Sequence, residues 1–140
     1  GQVWGRRGAD AYLLDQVRGR MSFVETCMQV RSLSAKWPSA SAKLVEDKAN
    51  GPAVINALSK NTPGLVAVQP EGSKLASASA VSPFCEAKNV WLPEFAPFTP
   101  QIVDECASFP LSANDDMVDA LSQALSRLLL NAIRPRVRFL

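Results

Sequence analysis

The 140 residues include no histidine. Without an imidazole, Ser-His and Cys-His nucleophile systems in their usual form are excluded. Cys27, Cys85 and Cys106 are odd in number and far apart, with no Cys-x-x-Cys pair. A structural zinc site therefore has no ligand set, and free thiols in a reducing compartment are expected. Apolar runs are short: none approaches the roughly 20 residues of a membrane span, and no signal-peptide pattern opens the chain. No Gly-x-x-x-x-Gly-Lys-Ser/Thr loop occurs, so a P-loop nucleotide site is absent from these residues. The net charge of +2 is too small to imply a nucleic-acid partner by itself. Basic residues do cluster, however, at Arg6, Arg7, Arg18 and Arg20 and again at Arg134, Arg136 and Arg138. Such clusters suit phosphate contacts, although for any single Lys or Arg solvated surface is the commoner case.

What remains is the composition of a globular protein, 47% hydrophobic and 20% charged, at the length of one ordinary domain spanning residues 1–140. Two short strands, Gln2–Trp4 and Ala11–Val17, are expected around a glycine-bearing loop in which Asp10 falls. A helix is expected over Met21–Lys36, with Phe23, Val24, Cys27, Val30 and Leu33 as its inward stripe. Ser22 and Glu25 have the spacing of a capping box, and Trp37-Pro38 ends the helix. Leu44 and Val45 read as a strand that runs into Glu46 and Asp47, followed by a tight turn and a helix over Pro52–Leu58. Leu65–Val68 is a further strand, Leu75–Val81 a helix start and Asn89–Leu92 an edge strand. The Pro93–Pro100 connection carries Phe95 and Phe98, expected to pin it to the core. A helical turn over Ile102–Ala107 precedes the longest helix, Asn114 to about Ile133, with Ser112 or Asn114 as its N-cap. Met117, Leu121, Ala124, Leu125, Leu128 and Ile133 lie on one face of that helix. The alternation of strands and helices predicts an α/β fold with a partly parallel sheet and a leading hairpin.

The acids sit at the ends of these elements. Glu46 and Asp47 lie at the carboxyl end of a strand, where α/β sheets bind ligands. Asp115, Asp116 and Asp119 open the last helix, where they suit the helix dipole; Glu46 likewise suits solvated surface. Asp119 borders the apolar stripe, however, and an acid there needs a partner. With no histidine, a shared cation would be held by carboxylate oxygen, which points to magnesium or manganese. Two such ions about 3.5–4 Å apart can drive phosphodiester hydrolysis without a nucleophilic side chain.

Three motifs carry a resemblance. They are Val45-Glu46-Asp47-Lys48-Ala49-Asn50-Gly51, Pro70-Glu71-Gly72-Ser73-Lys74, and Phe109-Pro110 followed by Asn114-Asp115-Asp116-Met117-Val118-Asp119-Ala120-Leu121. With Gln2-Val3-Trp4-Gly5 and Tyr12-Leu13-Leu14-Asp15-Gln16, the chain resembles the C-terminal nuclease domain of the large terminase subunit of tailed bacteriophages. That resemblance implies an RNase H-like fold, a mixed five-stranded sheet flanked by helices. It also implies a metal-dependent endonuclease that cuts concatemeric double-stranded viral DNA during packaging, in the bacterial host cytoplasm. Double-stranded DNA, the terminase small subunit and the portal are the implied partners.

Carried over by position, Glu46, Asp116 and Asp119 are the implied catalytic metal ligands for Mg2+ or Mn2+. Asp115 is a further metal-site acid, and Asp47 a neighbour that tunes the site. Lys74, Lys48, Arg6 and Arg7 are the implied DNA contacts. The family's first strand carries another metal-binding Asp, and this sequence opens at what matches the second strand. Neither Asp10 nor Asp15 is a convincing substitute, so the expectation is a domain lacking that strand and its acid, with exposed pairing edges. Two rival readings accompany this one: a catalytically incomplete RNase H-like module that binds DNA or the portal, and another RNase H-like nuclease such as a junction resolvase.

Overall fold

The structure is a computed structural model that describes residues 1–131; Ile133, Arg134, Arg136 and Arg138 lie outside the described residues. In chain order the elements are β1 (Gln2–Arg7), β2 (Asp10–Gln16), α1 (Phe23–Lys36), β3 (Lys43–Glu46), α2 (Gly51–Leu58), β4 (Leu65–Val68), α3 (Lys74–Glu86), β5 (Val90–Trp91), α4 (Thr99–Ser108) and α5 (Asp116–Leu125). A π-helical turn, Ser126–Leu130, continues α5. The elements fall into two compact units. One comprises Gly1–Gln16 and the described residues from Gly72 onward; the other is Val17–Glu71.

In the first unit β1 and β2 form the expected antiparallel hairpin, and β5 pairs parallel to β2. The turn is tighter than the sequence implied. Gly8 supplies the left-handed backbone at φ 62°, and Asp10 already belongs to β2, opposite Arg7. Period-two alternation decides the faces of β2: Ala11, Leu13 and Asp15 are buried, whereas Leu14 is exposed. Ala11 and Leu13 join Val81, Ile102, Met117, Leu121 and Leu125 in one core, which places α3, α4 and α5 on the inner face of this sheet. Full burial of Ile102 and Leu125 stabilises the unit by about 1.5–3 kcal/mol each. Tyr12 stacks on Trp91 on the opposite face, with ring centroids 6.2 Å apart.

Further expectations for this unit are corrected. Phe95 is 92% exposed and pins nothing; Phe98 alone packs on the core, and the Thr99 hydroxyl ties the loop by donating to the Pro93 carbonyl (2.6 Å). The Ile102–Ala107 turn is a full helix, because Pro100 falls in its first turn, where a missing N–H costs nothing. The last helix starts at Asp116 with Asp115 as N-cap, rather than Ser112 or Asn114, and it passes into π-helical geometry at Ser126. Helix α3 also runs further than its start implied, through Pro83. Proline cannot donate to the Ser79 carbonyl, and the Ser82 hydroxyl does so instead at 3.1 Å.

In the second unit β3 and β4 are parallel, in register from Lys43 opposite Leu65 to Glu46 opposite Val68, with α2 as the crossover. The implied five-stranded sheet is thus described as a mixed three-stranded sheet in one unit and a parallel pair in the other. Cys27, Val54 and Leu58 form the local core with Val30 and Leu65. Phe23 and Val24 remain 42% and 63% exposed, against the stripe predicted for α1. The 8-residue α2, about 12 Å long, cannot cover the 14-residue α1, about 21 Å long.

The capping box is present as predicted: Ser22 Oγ accepts from Glu25 N (3.3 Å) and Ser22 N donates to Glu25 Oε2 (2.7 Å). The Ser22 backbone N–H, then its side chain, holds the Glu25 carboxyl below its ordinary 4.5. A depressed folded value makes this contribution present above the unfolded pKa and lost as pH falls through the folded one. Thermal melts followed by circular dichroism should therefore show wild type losing more stability than Glu25→Gln between pH 7 and pH 3.

Candidate metal and nucleic-acid site

Glu46 is the last residue of β3, and its position depends on how closely α2 returns to the strand. Asp47 N donates to Val68 O at 2.9 Å, extending the parallel ladder by one bond. Ala49 then takes a left-handed backbone at φ 49°, and Gly51 N closes the turn on Lys48 O at 2.8 Å. At Gly51 the helix start lies so near the strand end that a Cβ would stand 1.8 Å from the Glu46 carbonyl oxygen. Only glycine permits that approach. The Glu46 carboxylate is exposed and stands 3.8 Å from the still more exposed Lys48 ammonium, a weak pairing in high dielectric. Asp47 is engaged otherwise, accepting a short hydrogen bond from Gln69 Nε2.

In the other unit, the lysine of the Pro70–Lys74 motif meets the acids of the Asn114–Leu121 motif. Lys74 Nζ lies 2.7 Å from Asp115 Oδ1 and 2.6 Å from Asp119 Oδ2. Asp115 and Asp119 are four apart, so one helical face presents both. Hydrogen bonding to Asp115, then to Asp119, raises the Lys74 pKa above the usual lysine range. Asp116 is exposed on the first turn and its charge reaches the Gly1 amino group; burial nevertheless lowers that group's pKa overall. Sequence spacing paired Asp116 with Asp119, whereas Lys74 joins Asp115 with Asp119.

The first turn of α5 is fixed from two sides. Glu105 Oε1 accepts from Met117 N (2.7 Å) and Val118 N (3.1 Å). Gln2 Nε2 donates to Met117 O (3.3 Å) and to Gln16 Oε1 (2.9 Å), and Trp4 Nε1 donates to Gln2 Oε1 (2.9 Å). Sequence reasoning passed over Glu105, and it placed Gln2 and Gln16 in the hairpin without giving them a role here. The available signal was an acid three residues after Ile102, on the inward stripe of α4, where an unpartnered carboxylate is not tolerated.

The fit to a hard divalent cation can be judged from Lys74. Its ammonium stands in for a cation, and two carboxylates already converge on it. All-oxygen donors open to solvent suit magnesium or manganese, which keep several waters. Among the described residues no group of three or more His, Cys, Asp or Glu is gathered as a metal site. The proposed DNA contacts differ in state. Arg6 donates to Gly8 O (2.8 Å) and Leu128 O (2.7 Å), while Arg7 is exposed on β1 opposite Asp10. No helix among the described residues is long and apolar enough to cross a membrane.

The family described as the terminase RNaseH-like domain matches residues 1–128, and the chain belongs to that family. Comparison with curated proteins and with solved structures gives no match. The mixed α/β architecture agrees with the RNase H-like fold class of the family.

Gly51→Ala should lower stability by about 1–3 kcal/mol in chemical denaturation, because its Cβ meets backbone rather than a flexible side chain. Lys74→Met should cost about 1 kcal/mol or less after solvent screening, an effect that shrinks in high salt. Since the folded Lys74 pKa is raised from 10.5, that contribution is present below pH 10.5 and lost as pH climbs through the folded value.

Proposed function

From membership of the terminase RNaseH-like family, we propose that this chain is the metal-dependent endonuclease domain of a viral DNA-packaging terminase, cleaving concatemeric double-stranded DNA by two-metal phosphodiester hydrolysis. The observation that carries the proposal is the family match over residues 1–128, supported by the meeting of Asp115 and Asp119 at the Lys74 ammonium. Glu46, Asp116 and Asp119 would hold magnesium or manganese, with Asp115 beside them. Bound there, the ions supply Lewis-acid polarisation of the phosphoryl group and a more acidic attacking water.

The chain's own residues do the rest. Asp115 and Asp119, which hold the Lys74 ammonium, would offer their oxygens to a divalent cation, and Lys74 would then be a donor for a DNA phosphate. Lys48, Arg6 and Arg7 add positive charge for the backbone, which positions a duplex without reading its sequence. The small subunit and the portal are the proposed assembly partners, in the host cytoplasm.

A second reading, a module that binds DNA or the portal without cutting, draws on the same Lys74 contact: its ammonium already neutralises Asp115 and Asp119. A junction resolvase would share the chemistry and prefer four-way junctions to linear duplex.

Plasmid DNA incubated with the chain and Mn2+, and in parallel with the full-length protein, tests the proposal. Cleavage should require the metal, stop with a chelator, and fall at least about a hundredfold in Glu46→Ala or Asp116→Ala. Absence of metal-dependent cleavage by both proteins would overturn the enzyme reading in favour of the binding module. A preference for junctions over linear duplex would favour the resolvase.

A further inference from the structure

We propose that Glu105 is a positioning residue for the acidic site: it caps α5 from the neighbouring helix α4 and so releases the helix's own N-cap acid for cation binding. This rests on the functional reading given above. A helix that opens with Asp ordinarily uses that side chain to accept from the amides of its second or third residue. Here Asp115 is the N-cap, yet its side chain makes no capping bond; its Oδ1 lies 2.7 Å from Lys74 Nζ instead. The amides of Met117 and Val118, the second and third residues of α5, would be left without acceptors in a buried setting. Glu105, only 6% exposed, supplies one oxygen to both, at 2.7 and 3.1 Å.

The carboxylate therefore lies on the positive end of the helix, where it also offsets the dipole. The same turn is gripped from the sheet: Gln2 donates to the Met117 carbonyl, and Gln16 Nε2 lies 3.2 Å from Met117 Sδ. Met117 is thus held by Glu105 at its amide and by Gln2 at its carbonyl, which sets the rotation of the turn bearing Asp116 and Asp119. Capping and ligation, which compete for Asp115 in an isolated helix, are divided between two residues.

Two readouts on the intact chain separate positioning from bulk stability. One is Mn2+ affinity by calorimetry; the other is amide hydrogen exchange at Met117 and Val118 by NMR. Glu105→Ala should weaken Mn2+ binding about tenfold and accelerate exchange selectively at those two amides, while Glu105→Gln, which keeps an acceptor oxygen, recovers most of both. Leu121→Ala serves as a control that destabilises the same helix through its core; at equal folded fraction it should leave Mn2+ affinity within about twofold of wild type. Wild-type affinity in Glu105→Ala, unchanged exchange at Met117 and Val118, or equal weakening by Leu121→Ala would overturn the proposal. Should Glu105→Ala not fold, Glu105→Asp, which withdraws the acceptor by one methylene, must show the same selective loss. If wild type itself binds no Mn2+, the metal-site reading fails, and the exchange data alone decide whether Glu105 sets this turn.

Discussion

Carboxylates crowded onto one helical turn repel one another, and the structure around α5 is shaped by how that repulsion is met. Asp115, Asp116 and Asp119 all fall within the first turn or beside it. The helix dipole offsets part of their charge, but only within that turn. The ammonium of Lys74 meets Asp115 and Asp119 together, drawing the start of α3 against the start of α5. One ammonium thus answers two of the three carboxylates at once.

A charge cluster is useful only if its backbone does not move. In the first unit rigidity comes from Met117, whose amide and carbonyl are both claimed by side chains from other elements, Glu105 and Gln2. In the second unit it comes from close approach: Gly51 brings α2 against the Glu46 carbonyl, so the strand end cannot slide without breaking that packing. Two different devices, a polar clamp and a steric fit, place acids at the ends of regular elements. Both follow from the same rule, that a functional side chain is only as well placed as the backbone beneath it.

Much of the framework was legible from local pattern. The capping box at Ser22 and Glu25, the strand, turn and helix from Lys43 to Leu58, the β4 strand and the β1–β2 hairpin all appear where spacing put them, because each depends on neighbours in sequence. Element ends were less legible. The N-cap of α5 moved from Ser112 or Asn114 to Asp115, and the exposed first turn of α1 escaped the periodicity argument, since coverage depends on the length of a different helix. Phe95 was misjudged for a related reason: an aromatic in a proline-rich loop buries itself only if the fold leaves it a place.

The sequence by itself determined the inventory of this protein's chemistry: acids and lysines without histidine, carried in three motifs of a terminase nuclease domain. Residue type and local spacing are enough for that, because ligand chemistry and helix or strand periodicity are properties of the chain alone. Only the tertiary structure decided which charges meet. It joined Lys74 to Asp115 and Asp119 across 41 and 45 positions of sequence, and it assigned the cap of α5 to Glu105 on another helix. Such pairings turn on distances of a few ångströms between elements, set by how the core packs, and no local pattern encodes them.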